Sequence, residues 1–126
     1  MNEQDSSKKQ AIFWLEYSQQ LSTAIRYEAA LVAVEKAIVL DEKNVEAWYV
    51  KGTCFAMLAK YSEALADFEH ALNLDNHYVP AWDGKAWVLG ILGKKDEALI
   101  AVNRALELDP NYYQALLRKE RIEAMG

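Results

Sequence analysis

Two histidines, one cysteine and a pair of arginines are the side chains of this chain with the most evident chemistry. His70 and His77 stand seven residues apart, and no histidine–cysteine cluster has ligand spacing, so no metal site is expected. His70 falls near the end of a helical pattern, where an imidazole commonly faces solvent or the helix dipole. Cys54 lies among Gly52, Phe55 and Met57 and reads as a small packed side chain rather than a nucleophile. Gly84, Gly90 and Gly93 match neither nucleotide-binding glycine pattern. Adjacent acids such as Asp96 and Glu97 suit the first turn of a helix. These residues nominate no catalytic group and no cofactor. Arg118 and Arg121 differ: with Lys119 they make a basic end to an acidic chain, and an arginine pair suits a carboxylate or phosphate on a ligand. The competing reading is a solvated terminal helix.

The elements that position these groups follow from composition and spacing. The 126 residues argue for one domain, and an apolar fraction of 52% can fill a core. Two prolines and five glycines suit a mostly helical chain. A net charge of -5 disfavours nucleic acid and anionic membranes as partners. A lone cysteine permits no intramolecular disulfide, and neither a signal-type apolar run nor a membrane-spanning stretch is present. The reading is a soluble, cytoplasmic protein.

The chain repeats itself. Trp14, Trp48 and Trp82 are separated by steps of 34 residues, and the same step links Ala30, Ala64 and Ala98. It also links Ala37, Ala71 and Ala105, the leucines 31, 65 and 99, the leucines 40, 74 and 108, and the aspartates 41, 75 and 109. The units run 11–44, 45–78 and 79–112, with a half-unit at 113–126 and a flexible segment at 1–10. Within a unit, Trp48, Gly52 and Phe55 recur at helical spacing, as do Ala64, Phe68 and Ala71. A short break at Ala59, Lys60 and Tyr61 makes the two helices an antiparallel hairpin. Gly93 suits a helix C-terminus, Pro80 a first turn, and Asn44 and Asn111 are candidate N-caps. Ser7 with Gln10 suggests a capping box ahead of the first helix. Small residues such as Gly52, Ala64, Ala86 and Ala98 allow close helix approach, while Trp48, Trp82 and Phe68 fill the space around them.

The pattern resembles the tetratricopeptide repeat, whose signature is W-x2-L-G-x2-Y followed by A-x3-F, an alanine and a proline. The second unit reads Trp48, Lys51, Gly52, Phe55, Ala64, Phe68, Ala71, Asn76, and the third Trp82, Lys85, Ala86, Leu89, Ala98, Val102, Ala105, Pro110. The first is more divergent, with Trp14, Tyr17, Ser18, Leu21, Ala30, Val34, Ala37 and Glu42. Lysines replace the family's leucine at 51 and 85, and two of the three prolines are missing. The resemblance spans residues 11–126. It implies an all-α solenoid of seven helices, three hairpins and a C-terminal capping helix, in a right-handed superhelical stack.

The resemblance also implies a concave groove lined by the first helix of each hairpin, which in this family usually binds a peptide. Its candidate lining is Leu15 and Gln19, then Tyr49, Val50 and Thr53, then Asp83, Gly84, Trp87 and Ile91, and last Leu117, Arg118 and Arg121. Trp87 stands out, because its register equivalents Gln19, Thr53 and Arg121 are polar. It reads either as a contact anchor, with Gly84 and Gly90 leaving room beside it, or as packing against Tyr49 or Leu117. The clamp with which chaperone-binding members grip a C-terminal carboxylate falls on Leu15, Gln19, Val50, Pro80 and Gly84. Shifted by one repeat it falls on Tyr49, Thr53, Gly84, Gln114 and Arg118, where only Arg118 fits. A heat-shock-chaperone tail is therefore not the expected ligand.

The two ends differ. In the last helix the core positions become Leu116, Lys119, Glu120 and Glu123, which reads as a solvating cap that ends the array. At the other end Ile12 and Phe13 open the first unit, and Phe13 stands where later units have Ala47, Ala81 and Ala115. Either residues 1–10 cover it, or it forms a self-association edge. The function expected is a protein-interaction module for a peptide or helix of another protein. A homo-oligomer built through the N-terminal edge or by hairpin exchange is the alternative. An enzyme or small-molecule binder comes third, supported only by space beside Gly84.

Overall fold

The computed structural model describes residues 2–126. Seven helices follow one another: α1 (Glu3–Thr23), α2 (Tyr27–Leu40), α3 (Val45–Met57), α4 (Tyr61–Leu74), α5 (Val79–Ile91), α6 (Lys95–Leu108) and α7 (Tyr113–Glu123). α1 pairs with α2, α3 with α4 and α5 with α6 as antiparallel hairpins, and α7 packs on α5 and α6. α1, α3, α5 and α7 also touch in sequence, which makes them one layer, with α2, α4 and α6 as the other. No described helix is long and apolar enough to cross a membrane.

The repeated columns have separate physical tasks. The alanines of the second helices, Ala30, Ala64 and Ala98 and then Ala37, Ala71 and Ala105, are fully buried where helices cross. Each aspartate of the column builds the turn between hairpins. The carboxylates of Asp41, Asp75 and Asp109 accept from the backbone N–H groups of Lys43, His77 and Asn111 at 3.3, 2.9 and 3.1 Å. Trp48 and Trp82 tie the same turns down, their indole N–H groups donating to the carbonyls of Glu42 and Asn76 at 2.8 Å. Trp14 has no turn before it and packs instead beneath Lys36, whose ammonium lies 4.4 Å from the ring centroid.

Phe68 organises the middle of the stack. A Cβ built on Gly52 would meet its ring at 2.8 Å, and so would one built on Gly84. The phenyl thus occupies the space that two glycines, from its own hairpin and the next, leave open. Gly84 gives its space to the core and none to the groove, which corrects the sequence reading. Each hairpin break uses a left-handed residue, Ile25, Ala59 and Gly93, at φ 61°, 60° and 75°. Each is followed by the same pair of backbone bonds, for example Lys94 N–H to the Leu89 carbonyl and Gly93 N–H to the Gly90 carbonyl.

Several local expectations need correction. Residues 3–10, expected as a segment apart from the first helix, are helical and extend α1 by two turns. Asn2 caps that helix, its side chain accepting from the Asp5 N–H at 2.8 Å, so Ser7 and Gln10 form no capping box. A short polar residue followed by Glu3 and Asp5 in the first turn is a sufficient start. Asn44 caps α3 by accepting from Ala47 N–H at 3.1 Å. Asn111 caps nothing, because Tyr112 holds the N-cap position of α7 without a side-chain bond. Phe13 remains 60% exposed, since a helix running straight on through residues 3–10 cannot fold back over it.

Candidate functional site

The layer of α1, α3, α5 and α7 carries the candidate groove, and its residues divide into three groups. Leu15 and Val50 are buried in the core that the first hairpin shares with α3, at 5% and 7% exposure, and are removed from the lining. Gln19 and Thr53 are half-buried and make polar contacts within the layer. The Gln19 amide donates to Glu46 at 2.7 Å, which bridges α1 to α3. The Thr53 hydroxyl donates back to the Tyr49 carbonyl at 3.0 Å.

The middle of the groove is aromatic. Tyr49 packs on Phe68 with ring centroids 5.9 Å apart and meets Tyr78 edge-on at 5.8 Å. Burial raises the Tyr49 phenol above its ordinary pKa, only partly offset by a hydrogen bond with Thr53. Burial also raises Tyr78, and pushes Tyr112 up to about 12, with the Tyr49 and Asp83 charges adding to it. The three phenols therefore stay neutral at physiological pH and offer hydroxyl groups rather than charge. Tyr78 and Tyr112 were absent from the sequence-based lining. Their signal was present, since they occupy the last position of consecutive units, 34 residues apart.

The C-terminal end of the groove is the most elaborated part. Asp83 on α5 is only 5% exposed, and it is not a free contact residue: it holds Arg118 of α7. Arg118 Nε donates to Asp83 Oδ1 at 2.6 Å and Nη2 donates to Oδ2 at 3.1 Å, a two-pronged pair. The same guanidinium lies 5.7 Å from the centre of the Trp87 ring. Trp87 also packs against the cluster of Ala56, Ala64, Phe68 and Val88. Of the two sequence readings of Trp87, the packing one has partners here, since Trp87 and Tyr49 border the same buried cluster. Between α5 and α7 a cleft of about 290 Å³ is bordered by Trp87, Gly90, Ile91, Arg121, Ile122 and Met125. A Cβ on Gly90 would meet Ile122 at 3.7 Å, an ordinary contact distance. Leu117 and Ile91 stay exposed beside it. Among the described residues Arg121 has no ion-pair partner.

The chemistry-bearing residues away from the groove have structural settings. Cys54 is fully buried, and burial pushes its thiol up to about 11, with Ser22 partly offsetting this. His70 stacks on Trp48 with ring centroids 3.7 Å apart. Among the described residues no group of three histidines, cysteines or carboxylates is placed to hold a metal.

The hairpin stack with its tryptophan, alanine and turn-aspartate columns can be set beside known proteins. A family model described as Tetratricopeptide repeat matches residues 45–78, and a second with the same description matches 79–112. The chain belongs to the tetratricopeptide repeat family. Comparison with curated proteins finds no match. Among solved structures, the tetratricopeptide domain of Arabidopsis OM64 superposes with a TM-score of 0.89 at 20% identity, over 93% of this chain and 97% of that one. The first such domain of Spaghetti (RPAP3), bound to an HSP90 peptide, gives 0.87 at 23% identity over 92% of each chain. The second domain of human RPAP3, in complex with an HSP70 peptide, gives 0.86 at 25% identity, over 94% of this chain and 99% of that one. These likenesses establish an all-α helical-repeat solenoid.

Proposed function

We propose that this tetratricopeptide domain is a protein-interaction module, a non-enzymatic one, whose groove takes an extended or helical segment of a partner protein. The observation that carries the proposal is the Asp83–Arg118–Trp87 assembly beside the α5–α7 cleft. The aspartate uses two of the guanidinium's donor groups and fixes its plane, so the remaining donors of Arg118 point from a fixed position at little entropic cost. Arg121 adds a second cation on the same helix. Trp87, Ile91 and Met125 supply the apolar border of the cleft. The matching segment carries one apolar side chain, for the cleft, next to a carboxylate, for the arginines. Tyr49, Tyr78 and Tyr112 supply aromatic area and neutral hydroxyls along its further course.

The RPAP3 domains are described with chaperone peptides, and they support a protein partner of some kind. The positions to which the family clamp maps are a poor match here. Leu15, Val50 and Gly84 are buried and uncharged, and Pro80 offers no cation. The proposed ligand is accordingly a different acidic segment.

Affinity capture with wild type, Trp87→Ala and Arg121→Glu baits, read by quantitative mass spectrometry, tests this. A partner retained by wild type and lost from both variants is the expected result. If every specifically captured protein binds the two variants as well as wild type, the groove reading is wrong.

A further inference from the structure

One edge of the stack is left over by this function: the outer face of α1. At the position of Phe13 the later units have Ala47, Ala81 and Ala115, each fully buried against the hairpin before it. A phenyl group there would overpack any such hairpin-on-hairpin contact. Phe13 is instead 60% exposed and belongs to an aromatic group, stacked on Tyr17 at 6.5 Å and edge-on to Trp14 at 5.3 Å. Tyr17 is likewise exposed. Ile12 is turned about 100° away around the helix, in register with Glu46 and Pro80 of the concave layer, and is not part of this strip.

α1 is also longer than its equivalents, with 21 residues against 13 in both α3 and α5. The extra turns bring Lys9 onto the face of Phe13, one turn before it, and Glu16 lies on the same side one turn after it. Both are exposed, and neither has an ion-pair partner among the described residues. A basic residue before an aromatic centre and an acidic residue after it is a self-complementary pattern. When two such helices cross antiparallel at Phe13, Lys9 of each copy comes beside Glu16 of the other. A head-to-tail contact lacks this match, because the opposite edge on α7 presents Leu116, Lys119, Glu120 and Glu123, whose charges do not mirror the order of Lys9 and Glu16. It would also be an open, non-closing arrangement.

We infer that α1 is a homodimerisation helix, which joins two copies antiparallel about Phe13 with Tyr17 beside it and reciprocal Lys9–Glu16 pairs at the flanks. A single helix face is smaller than the roughly 800 Å² per partner of stable complexes, so the dimer is weak, with Kd on the order of 100 μM. The concave groove lies on another face of the layer, so each copy keeps its own.

Sedimentation velocity on the whole chain, from about 10 μM to about 1 mM in low salt, tests the inference. The weight-average sedimentation coefficient of wild type should rise from the monomer to the dimer value and stop there. Phe13→Ala, which installs the residue of the other units, should stay monomeric, with an unchanged helical circular-dichroism spectrum. Lys9→Glu and Glu16→Lys should each weaken association about tenfold, and the double exchange should restore it. A wild type monomeric throughout would overturn the proposal, leaving the strip to a different protein. So would growth beyond the dimer, a Phe13→Ala variant that still dimerises, or a double exchange that fails to rescue.

Discussion

Asp67 stands at a position where the other two units have Ala33 and Ala101, both essentially buried. It is buried too, at 6% exposure, and its Oδ2 has no hydrogen-bond partner. Its nearest cation is Lys51 of α3, with Nζ 4.0 Å from Oδ1, while Glu35 of α2 and Glu63 of α4 repel it. Burial is the largest effect, and the carboxyl is pushed from 3.8 up to about 6. The folded protein therefore binds this proton more tightly than the unfolded chain does. The resulting destabilisation is fully present above about pH 7, shrinks as pH falls through 6, and is gone below the unfolded value of 3.8. A shift of this size corresponds to about 3 kcal/mol at most. The Lys51 attraction is already contained in that net shift, so Asp67→Ala should gain up to about 3 kcal/mol near neutrality. Asp67→Asn keeps the shape, removes the charge and should gain somewhat less. The assay is urea unfolding followed by circular dichroism across this pH range. The difference between wild type and variant isolates Asp67 from the other carboxylates. It should be largest near pH 7 and vanish towards pH 4. A variant less stable than wild type at neutral pH, or a difference independent of pH, would refute the reasoning.

Other perturbations probe other parts of the stack. Ile25→Gly and Ala59→Gly relieve left-handed backbone at φ 61° and 60°, and each should raise stability by about 1 kcal/mol, read as a rise in Tm. Gly84→Ala drives a methyl into the Phe68 ring and should cost about 1–3 kcal/mol. Phe68→Leu should suppress most of that cost, and a double-mutant cycle without coupling would refute the contact. Asp83→Ala strands Arg118 beside Trp87 and should cost about 2 kcal/mol, with a change in tryptophan fluorescence. In an ultraviolet pH titration Tyr112 should remain un-ionised near pH 10, and Tyr49 and Tyr78 should titrate above the ordinary phenol range.

Much of this architecture is legible without coordinates because a repeat states each rule three times. Three columns in register, two of alanines at helix crossings and one of aspartates at turns, identify the hairpins by spacing alone. All three depend on contacts within one unit or between neighbours, so local sequence carries them. The groove was legible only in outline. Trp87, Arg118 and Arg121 were visible as residues that break the pattern, but Leu15 and Val50 were misplaced because spacing within one helix does not reveal which flank its neighbours cover. Asp83 and Arg118 lie 35 residues apart and become one unit only when α7 docks on α5. Gly84 is a comparable case: its missing side chain serves Phe68, a residue of the preceding hairpin, and a glycine in a sequence does not say which neighbour uses its space. The straight run of α1 through residues 3–10 leaves Phe13 uncovered and places Lys9 and Glu16 on its face. What the sequence determined by itself was the repeating helical period, set by short-range burial and turn chemistry. What the tertiary structure decided was which charges meet and which surfaces remain open, because those depend on the stacking of helices far apart in the chain.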